Sequence, residues 1–299
     1  MTLPPRAVIV HRRTELRELL ARHGTHGQAE YFLRTRGRSI EDAEARHHAV
    51  THAIGAVSAA IPARWRRAMV ERSELPAFLF EPGDIIVVAG QDGLVANLAK
   101  YIDGQIVIGI NPEPGRNPGV LVPHPPEAAQ ALLATAVSPG SAERVESLTM
   151  VWARTDDGQR LTALNEIYIG QPSHQTARYA IALPDGRSER QASSGLIVST
   201  GTGGTGWCRS AWLERHSSLV LPAPDERRLA WFVREAWPSP ATGTACTEGE
   251  LASGQLISLT AESDQLVLFG DGIEADAIQL SWGQAASISV ADQTLRMLR

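Results

Sequence analysis

The sequence predicts two domains, an N-terminal α/β domain and a C-terminal domain of antiparallel, sandwich-like β structure. A compact strand–helix–strand unit at residues 85–110 is typical of a parallel sheet. Six prolines between Pro112 and Pro126 follow it, a density that excludes a helix or a central strand. Beyond them the chain changes to short β-like segments, so we place a domain boundary near residue 125.

The first domain begins with an apolar segment at 7–10, which predicts a short buried strand. A helix is expected after Thr14, where leucines recur at helical spacing. Another is expected after Ser39, and Pro62 ends it.

The unit at 85–110 contains two strands and one helix. The segment 85–89 is continuously apolar, as in a strand buried on both faces, and 106–110 repeats this pattern. Between them an apolar helix face runs from Leu94 to Ile102. A parallel pair with a right-handed crossover follows from this order.

Short segments rich in β-branched residues make up most of the remaining chain. Turns such as Asp156–Gly158 and Pro184–Gly186 separate them, which predicts antiparallel strands. The expected strands are 147–153, 161–169, 177–183, 196–199, 256–261, 266–269 and 286–290.

Composition excludes several protein classes. The 299 residues are 43% hydrophobic with a net charge of −5, so extensive disorder is excluded, and no apolar segment reaches membrane-spanning length. Cys208 and Cys246 form neither a disulfide framework nor a zinc ligand set, and we expect a cytoplasmic protein. Residues 1–72 contain thirteen arginines and seven acids, a net charge of +6, but lack a nucleic-acid-binding motif, so a nucleic-acid partner is not expected.

An acid flanked by glycines follows the strand at 85–89. Gly90 and Gly93 enclose Gln91 and Asp92. Ligands of open α/β sheets bind at the carboxyl ends of strands, and helix N-termini attract anions. The pattern predicts either a phosphate-binding turn, in which Asp92 accepts a proton or holds Mg²⁺, or a plain βα turn in which Asp92 caps the helix.

A second glycine-rich loop runs from Gly201 to Gly206 after an apolar strand. It satisfies G-x-G-x-x-G, but Pro222 and Pro224 interrupt the strand that should present Asp225 to a ribose, so a Rossmann site is disfavoured. The loop predicts either a nucleotide contact through hydroxyl and N–H groups or a flexible turn.

Two further groups of polar residues are candidates for a site. Asn165 and Glu166 interrupt an apolar strand, and burying either side chain is costly unless it is hydrogen-bonded. The partner is either another group of the protein, which is the commoner case, or a ligand. Glu44, His48 and His52 share one helix face at a spacing that could hold zinc, but a solvated surface is favoured.

In this order, the motifs resemble those of the NAD kinase family. The segment 90–93 is similar to its Gly-Gly-Asp-Gly motif, 164–167 to its Asn-Glu motif and 193–207 to its Gly/Thr/Ser-rich loop. The segments 109–114 and 193–207 are similar to the mitochondrial-type branch of eukaryotic NAD kinases. The resemblance spans most of residues 7–295.

The resemblance implies a Rossmann-like α/β domain and a C-terminal antiparallel β-sandwich-like domain. It implies that the chain returns to the first domain near its end. The expected domains are therefore 1–125, with a return at about 286–299, and 126–285.

The resemblance also implies an enzyme, a phosphotransferase with an alcohol group as acceptor. Such an enzyme moves the γ-phosphate of ATP, bound with Mg²⁺, to the 2′-hydroxyl of NAD. Asp92 matches the general base of the family. A homodimer is expected, because the family is commonly oligomeric. The residues implied to bind the substrates are Gly90, Gln91, Gly93, Asn165, Glu166, Ser194, Thr202, Thr205, Gly206, Trp207 and Ser210.

Two positions depart from the family pattern. Gln91 replaces the second glycine, where a side chain is expected to restrict the phosphoryl donor. Ser194 stands where many bacterial members have Asp, in agreement with the mitochondrial-type branch. The alternatives are a kinase of the same fold with another hydroxylated acceptor, a nucleoside, sugar or lipid-like alcohol, and a nucleotide-sensing module without catalysis.

Overall fold

The computed structural model describes residues 4–299, which form two compact units. The first unit ends at Glu146 and includes Arg296–Arg299, and the second is Ser147–Leu295. The boundary expected from the sequence is at residue 125. In the structure a further helix, Ala129–Ala136, packs on the core of the first unit, so the division comes later.

Strands and helices alternate through much of the first unit. Its elements are β1 (Arg6–His11), α1 (Glu15–His23), α2 (His26–Arg34), α3 (Ile40–Ala60), β2 (Arg66–Glu71), β3 (Asp84–Ala89), α4 (Asp92–Ala99), β4 (Ile106–Ile110) and α5 (Ala129–Ala136). The four strands form a parallel sheet in the order β2–β1–β3–β4. Near the end of the chain, Arg296 and Met297 pair with β4 in the same direction.

The helix α3 contributes to two separate cores because it is 21 residues long. Its C-terminal half places Ala53 and Val57 against the sheet and α5. Its N-terminal half places Ile40 and Ala43 against α1 and α2, where Leu33 is also buried. The α1–α2 hairpin therefore has a small core of its own, away from the sheet core.

Strands make up most of the second unit. Its elements are β5 (Val145–Thr155), β6 (Arg160–Ala163), β7 (Glu166–Gly170), β8 (Ala177–Ala182), β9 (Ser188–Ser193), β10 (Gly195–Ser199), α6 (Trp207–Glu214), β11 (Arg228–Arg234), β12 (Glu248–Ala252), β13 (Leu256–Ala261), β14 (Gln265–Gly270), β15 (Ile273–Ser281) and β16 (Ala285–Leu298). Short 3₁₀ helices of the chain lie at Arg72–Ala77, Pro126–Ala128, Ser141–Arg144 and Gly203–Thr205.

The strands of the second unit form two antiparallel groups that share one hydrophobic core. One has the order β12–β11–β10–β7–β14–β15, and the other contains β5, β6, β8, β9, β13 and most of β16. Trp231, Ile169, Tyr179 and Leu259 are buried in one cluster, which is the layered packing of a sandwich. The predicted fold class, α/β followed by sandwich-like β, is confirmed.

The strand expected at 161–169 is two strands, and that prediction is corrected. It breaks between Ala163 and Glu166, because the amides of Leu164 and Asn165 donate to the carboxylate of Asp271 instead of to a neighbouring strand. Within residues 4–299, none of the helices is both long enough and apolar enough to cross a membrane.

Candidate functional site

The first group of candidate residues lies where β3 ends and α4 begins. All six residues of β3 are buried, and Ala89 pairs with Ile110 at the end of β4. Asp92 is the first residue of α4. The carboxyl ends of two parallel strands and a helix N-terminus therefore meet at this turn, as the sequence predicts.

The carboxylate of Asp92 holds a segment of backbone. Its Oδ2 accepts a hydrogen bond from the N–H of Val120 at 3.0 Å, and its Oδ1 accepts from Leu121 at 2.8 Å and Val122 at 3.2 Å. A carboxylate has about four lone-pair sites. Groups within residues 4–299 use three of them, and the remaining site is on Oδ2.

Gln91 adopts a backbone conformation open to any residue, with φ −108° and ψ 165°. Its side chain is exposed and makes no capping bond to α4. A Cβ on Gly90 would lie 2.9 Å from Leu94 Cδ2, whereas a Cβ on Gly93 would meet nothing within 4 Å. Gln91 therefore fits without backbone strain, and its side chain lies beside the start of the helix.

The segment after β4 has a second anchor. Asn111 is buried; its Nδ2 donates to the carbonyl oxygen of Asn117 at 2.9 Å, and its Oδ1 accepts from the N–H of Glu113 at 2.9 Å. Gly119 has φ +70°, and a Cβ there would lie 2.7 Å from Asn111 Nδ2. The proline-rich segment is thus folded against Asn111 and Asp92. The sequence did not indicate that backbone groups of this segment bond to these two side chains.

In the second unit another carboxylate holds the backbone around the Asn-Glu pair. Asp271 Oδ2 accepts from the N–H of Leu164 at 3.0 Å, and Oδ1 accepts from Asn165 at 2.6 Å. Asp271 has φ +55°, an uncommon value for a residue other than glycine. The side chain of Asn165 has no hydrogen-bond partner within residues 4–299, so it is free to bind a ligand.

Glu166 is the most perturbed acid of this unit. Burial, with a smaller contribution from the charge of Asp271, raises its pKa from 4.5 to about 7. In the described part of the chain, no group hydrogen-bonds to its carboxyl group. Because a buried polar group normally has a partner, this side chain is a candidate for ligand binding.

The glycine-rich loop packs directly on this backbone. Thr200 donates through its N–H to the carbonyl oxygen of Asn165 at 2.9 Å and through Oγ1 to that of Leu164 at 2.6 Å. A Cβ on Gly203 would lie 2.3 Å from the oxygen of Asn165, and one on Gly201 would lie 2.1 Å from that of Ala223. These glycines permit close packing of backbone, which accounts for the motif without a Rossmann fold.

The two threonines of the loop differ in environment. Thr202 is buried, and among the residues described its Oγ1 has no hydrogen-bond partner. Thr205 is exposed and donates to the carbonyl oxygen of Thr202 at 3.0 Å. Gly206 precedes α6, and Ser210 is exposed on the first turn of that helix.

Aromatic rings adjoin the loop. Trp207 stacks on Tyr168 with ring centroids 5.1 Å apart, and the guanidinium carbon of Arg234 lies 5.2 Å from the centroid of Trp207. The hydroxyl of Tyr168 donates to the carbonyl oxygen of Ser194 at 2.7 Å. Tyr168 and Arg234 were missed by sequence reasoning, since only the fold brings them to Trp207.

Two further groups are the buried thiol of Cys208 and the face of α3 that carries Glu44, His48 and His52. Burial raises the pKa of the Cys208 thiol to about 11, which is unsuited to a nucleophile. Glu44 Oε1 lies 2.9 Å from Nε2 of His26, which belongs to α2. Glu44, His48 and His52 all belong to α3. No cluster of three or more potential metal ligands occurs in residues 4–299.

The chain is similar in sequence to curated NAD kinases, although no family model matches it. It is 30% identical to NAD kinase 2, mitochondrial, of Rattus norvegicus over 182 residues, which are 46% of this chain and 43% of that protein. It is 27% identical to NAD kinase 2, mitochondrial, of Homo sapiens over 256 residues, which are 68% of this chain and 57% of that protein. The chain thus spans about half the length of these relatives.

The fold is similar to that of a solved NAD kinase. The crystal structure of an NAD kinase from Archaeoglobus fulgidus in complex with ATP matches 98% of this chain and 93% of that one, with a TM-score of 0.59 and 17% identity. This match shows the two-domain fold. The resemblance to the NAD kinase family, including its mitochondrial members, is confirmed.

Glu166 should make stability depend on pH. Between pH 4.5 and about 7 the folded state binds a proton that the unfolded state has released, so the contribution of this group is full at low pH and is lost as pH rises through this range. Relative to the wild type, Glu166→Gln should gain up to about 3 kcal/mol at about pH 8 compared with about pH 4. Urea unfolding at both pH values measures this gain. Glu274→Gln, at an exposed position, is the control; parallel pH profiles for wild type and Glu166→Gln would show that Glu166 titrates normally.

Proposed function

We propose that this protein is an NAD kinase that transfers the γ-phosphate of ATP to the 2′-hydroxyl of the adenosine ribose of NAD, giving NADP. The observation that carries the proposal is the position of Asp92. A carboxylate with one free lone-pair site lies at the N-terminus of α4, directly after a buried parallel strand. The similarity to NAD kinases supports the same reaction.

On the acceptor side, Asp92 has the chemistry that the reaction requires. Phosphoryl transfer depends mainly on alignment and charge stabilisation, and the attacking hydroxyl must lose its proton. The free site on Oδ2 accepts this proton or orients the hydroxyl, while three backbone N–H groups fix the carboxylate. A base held in this way typically contributes about 10²–10⁴-fold to the rate.

On the donor side, the start of α4 supplies N–H groups and the positive end of a helix dipole. Gly90 and Gly93 leave the backbone accessible, and the exposed Gln91 carboxamide adjoins it. Mg²⁺ enters as part of the MgATP substrate, which binds it mainly through phosphate oxygens and water. Asp92 is the carboxylate that adjoins this helix end.

The second unit supplies groups suited to the dinucleotide. Asn165 and Glu166 provide an amide and a carboxyl group that have no hydrogen-bond partner among residues 4–299, and Thr202 provides a buried hydroxyl. The Trp207 ring, stacked on Tyr168, presents a flat surface for a base. Ser194, Thr205, Gly206 and Ser210 complete the set implied by the family.

The location and the assembly are further parts of the proposal. We infer a cytoplasmic protein because the two cysteines form no disulfide framework. We infer a homodimer because NAD kinases are commonly homo-oligomeric. Both sequence relatives are named as mitochondrial proteins. Subcellular fractionation and sedimentation equilibrium would test these two inferences.

Asp92→Asn tests the proposed base. The wild-type protein with NAD and MgATP should give a product heavier by one phosphate, located on the adenosine ribose by tandem mass spectrometry. Asp92→Asn should reduce this rate by at least about 100-fold, because the amide accepts no proton. It should also cost about 1–3 kcal/mol of stability, since an N–H₂ group would face backbone N–H groups.

Two controls separate catalysis from folding in this experiment. Asp103→Asn changes an exposed carboxylate of the same unit and should leave rate and stability unchanged. Calorimetric titration with NAD reports whether Asp92→Asn still binds the acceptor. A wild-type-like rate for Asp92→Asn would remove this residue from the mechanism, and no phosphorylated NAD from the wild type would overturn the proposal.

Gln91→Gly tests the donor side. Because Gln91 is exposed and unstrained, its replacement should affect stability by only a few tenths of a kcal/mol. If its side chain narrows the approach of the phosphoryl donor, kcat/KM for MgATP should rise at least about threefold, equivalent to about 0.7 kcal/mol. Gln91→Ala, which retains a Cβ, is the matched comparison. An unchanged or lower value for Gln91→Gly would indicate that the carboxamide contributes to binding.

A further inference from the structure

A cavity of about 530 Å³ lies at the α1–α2 hairpin, in the first unit. Its lining includes two arginines, Arg22 and Arg36, two aromatic residues, Tyr31 and Phe32, and His23. Cavities of about 300–1,000 Å³ are typical of small-molecule sites. No carboxylate lines this cavity, so its chemistry is basic and aromatic.

The acids near the hairpin pair with residues outside the cavity lining, and Glu44 pairs with His26 in the first turn of α2. Glu15 pairs with Arg38 and Arg46, and Glu18 pairs with Arg12. Within residues 4–299, neither Arg22 nor Arg36 has a carboxylate partner. A planar guanidinium suits the oxygens of a phosphate, which it can bind through two parallel N–H bonds.

The N-terminus of α2 adds to this positive potential. Its first turn has no acidic residue, and Gly27 and Gln28 of that turn line the cavity. Thr25 caps the helix by accepting the N–H of Gln28 at 3.3 Å. The remaining first-turn N–H groups contribute to a potential that favours an anion.

The two aromatic residues of the lining differ in exposure. The ring of Phe32 lies 4.4 Å from that of His23 by centroid distance, and the guanidinium carbon of Arg36 lies 3.8 Å from the Phe32 centroid. The ring of Tyr31 is exposed to 62%. Such rings stack readily with the base of a nucleotide.

The imidazole of His23 lies at the base of this lining. Its Nε2 is buried, and no group in the described part of the chain hydrogen-bonds to it. Buried polar atoms in folded proteins are nearly always paired. Because this nitrogen is closed off from solvent beside the Phe32 ring, it supports the ring packing and is not counted as a ligand contact.

We propose that this cavity binds a nucleoside monophosphate, with its phosphate on Arg22 and Arg36 and its base against the exposed ring of Tyr31, beside Phe32. The two arginines can bind one phosphate and the aromatic side of the lining can hold one base, which together are the parts of a single nucleotide. The lining includes neither Asp92 nor any residue of the glycine-rich loop, so the proposal does not depend on kinase activity.

Photolabelling with 8-azidoadenosine 5′-monophosphate tests this site on the full chain. After tryptic digestion, mass spectrometry should find the label on the fragment that contains residues 23–34, and unlabelled AMP should prevent its attachment. Arg22→Gln and Arg36→Gln should each reduce labelling of this region at least about fivefold, because one guanidinium contact to phosphate is lost. In Arg22→Gln, which lacks the cleavage site after residue 22, the corresponding fragment is 18–34. Arg17→Gln makes the same change on an exposed residue of α1 outside the lining and should have no effect.

The variants remain interpretable if one of them folds poorly. Arg36 donates to the carbonyl oxygen of Phe32 at 3.1 Å, whereas Arg22 makes no hydrogen bond or ion pair within residues 4–299, so Arg22→Gln should unfold at the wild-type temperature. An unlabelled 23–34 fragment, or equal labelling of the wild type and Arg22→Gln, would overturn the proposal. Displacement by a single-stranded oligonucleotide but not by AMP would also overturn it, in favour of a nucleic-acid surface. Label on fragments that contain Asp92 or Asn165 reports on the proposed kinase site instead.

Discussion

The carboxylate of Asp92 accepts hydrogen bonds from three consecutive backbone N–H groups, those of Val120, Leu121 and Val122. These bonds fix a proline-rich segment that has little secondary structure of its own, and the same segment fixes the carboxylate in return. This role needs lone pairs on both oxygens of the side chain. One lone-pair site remains for a substrate. The same side chain therefore holds the backbone segment and is the proposed base.

The second unit uses a carboxylate in a comparable way. Asp271 holds the amides of Leu164 and Asn165, and the glycine-rich loop then packs on their carbonyl oxygens. The backbone is thereby fixed, while the side chains of Asn165 and Glu166 stay without partners among the residues described. Burial beside Asp271 raises the pKa of Glu166 to about 7. A rigid backbone with unpaired polar side chains is the preorganisation that ligand binding requires.

The parts that were predictable from sequence depend on local patterns. Continuous apolar segments predicted β3 and β4, and the glycines around Asp92 marked the turn between them. The break at Leu164 was not predictable, because its cause is a carboxylate 107 residues away. The same holds for the ring contact of Trp207 with Tyr168. The helix α2 was missed because its short apolar face shows little periodicity and its stability comes from packing on α1 and α3.

The central claim is that Asp92 holds the 120–122 backbone and presents its free lone-pair site to the ribose hydroxyl. A crystal structure of the protein with NAD bound is the most direct measurement. The account predicts the 2′-hydroxyl oxygen about 2.5–3.0 Å from Oδ2 of Asp92, with all three backbone bonds retained. A 2′-hydroxyl bonded to another group, with Oδ2 bonded only to the N–H of Val120, would contradict it.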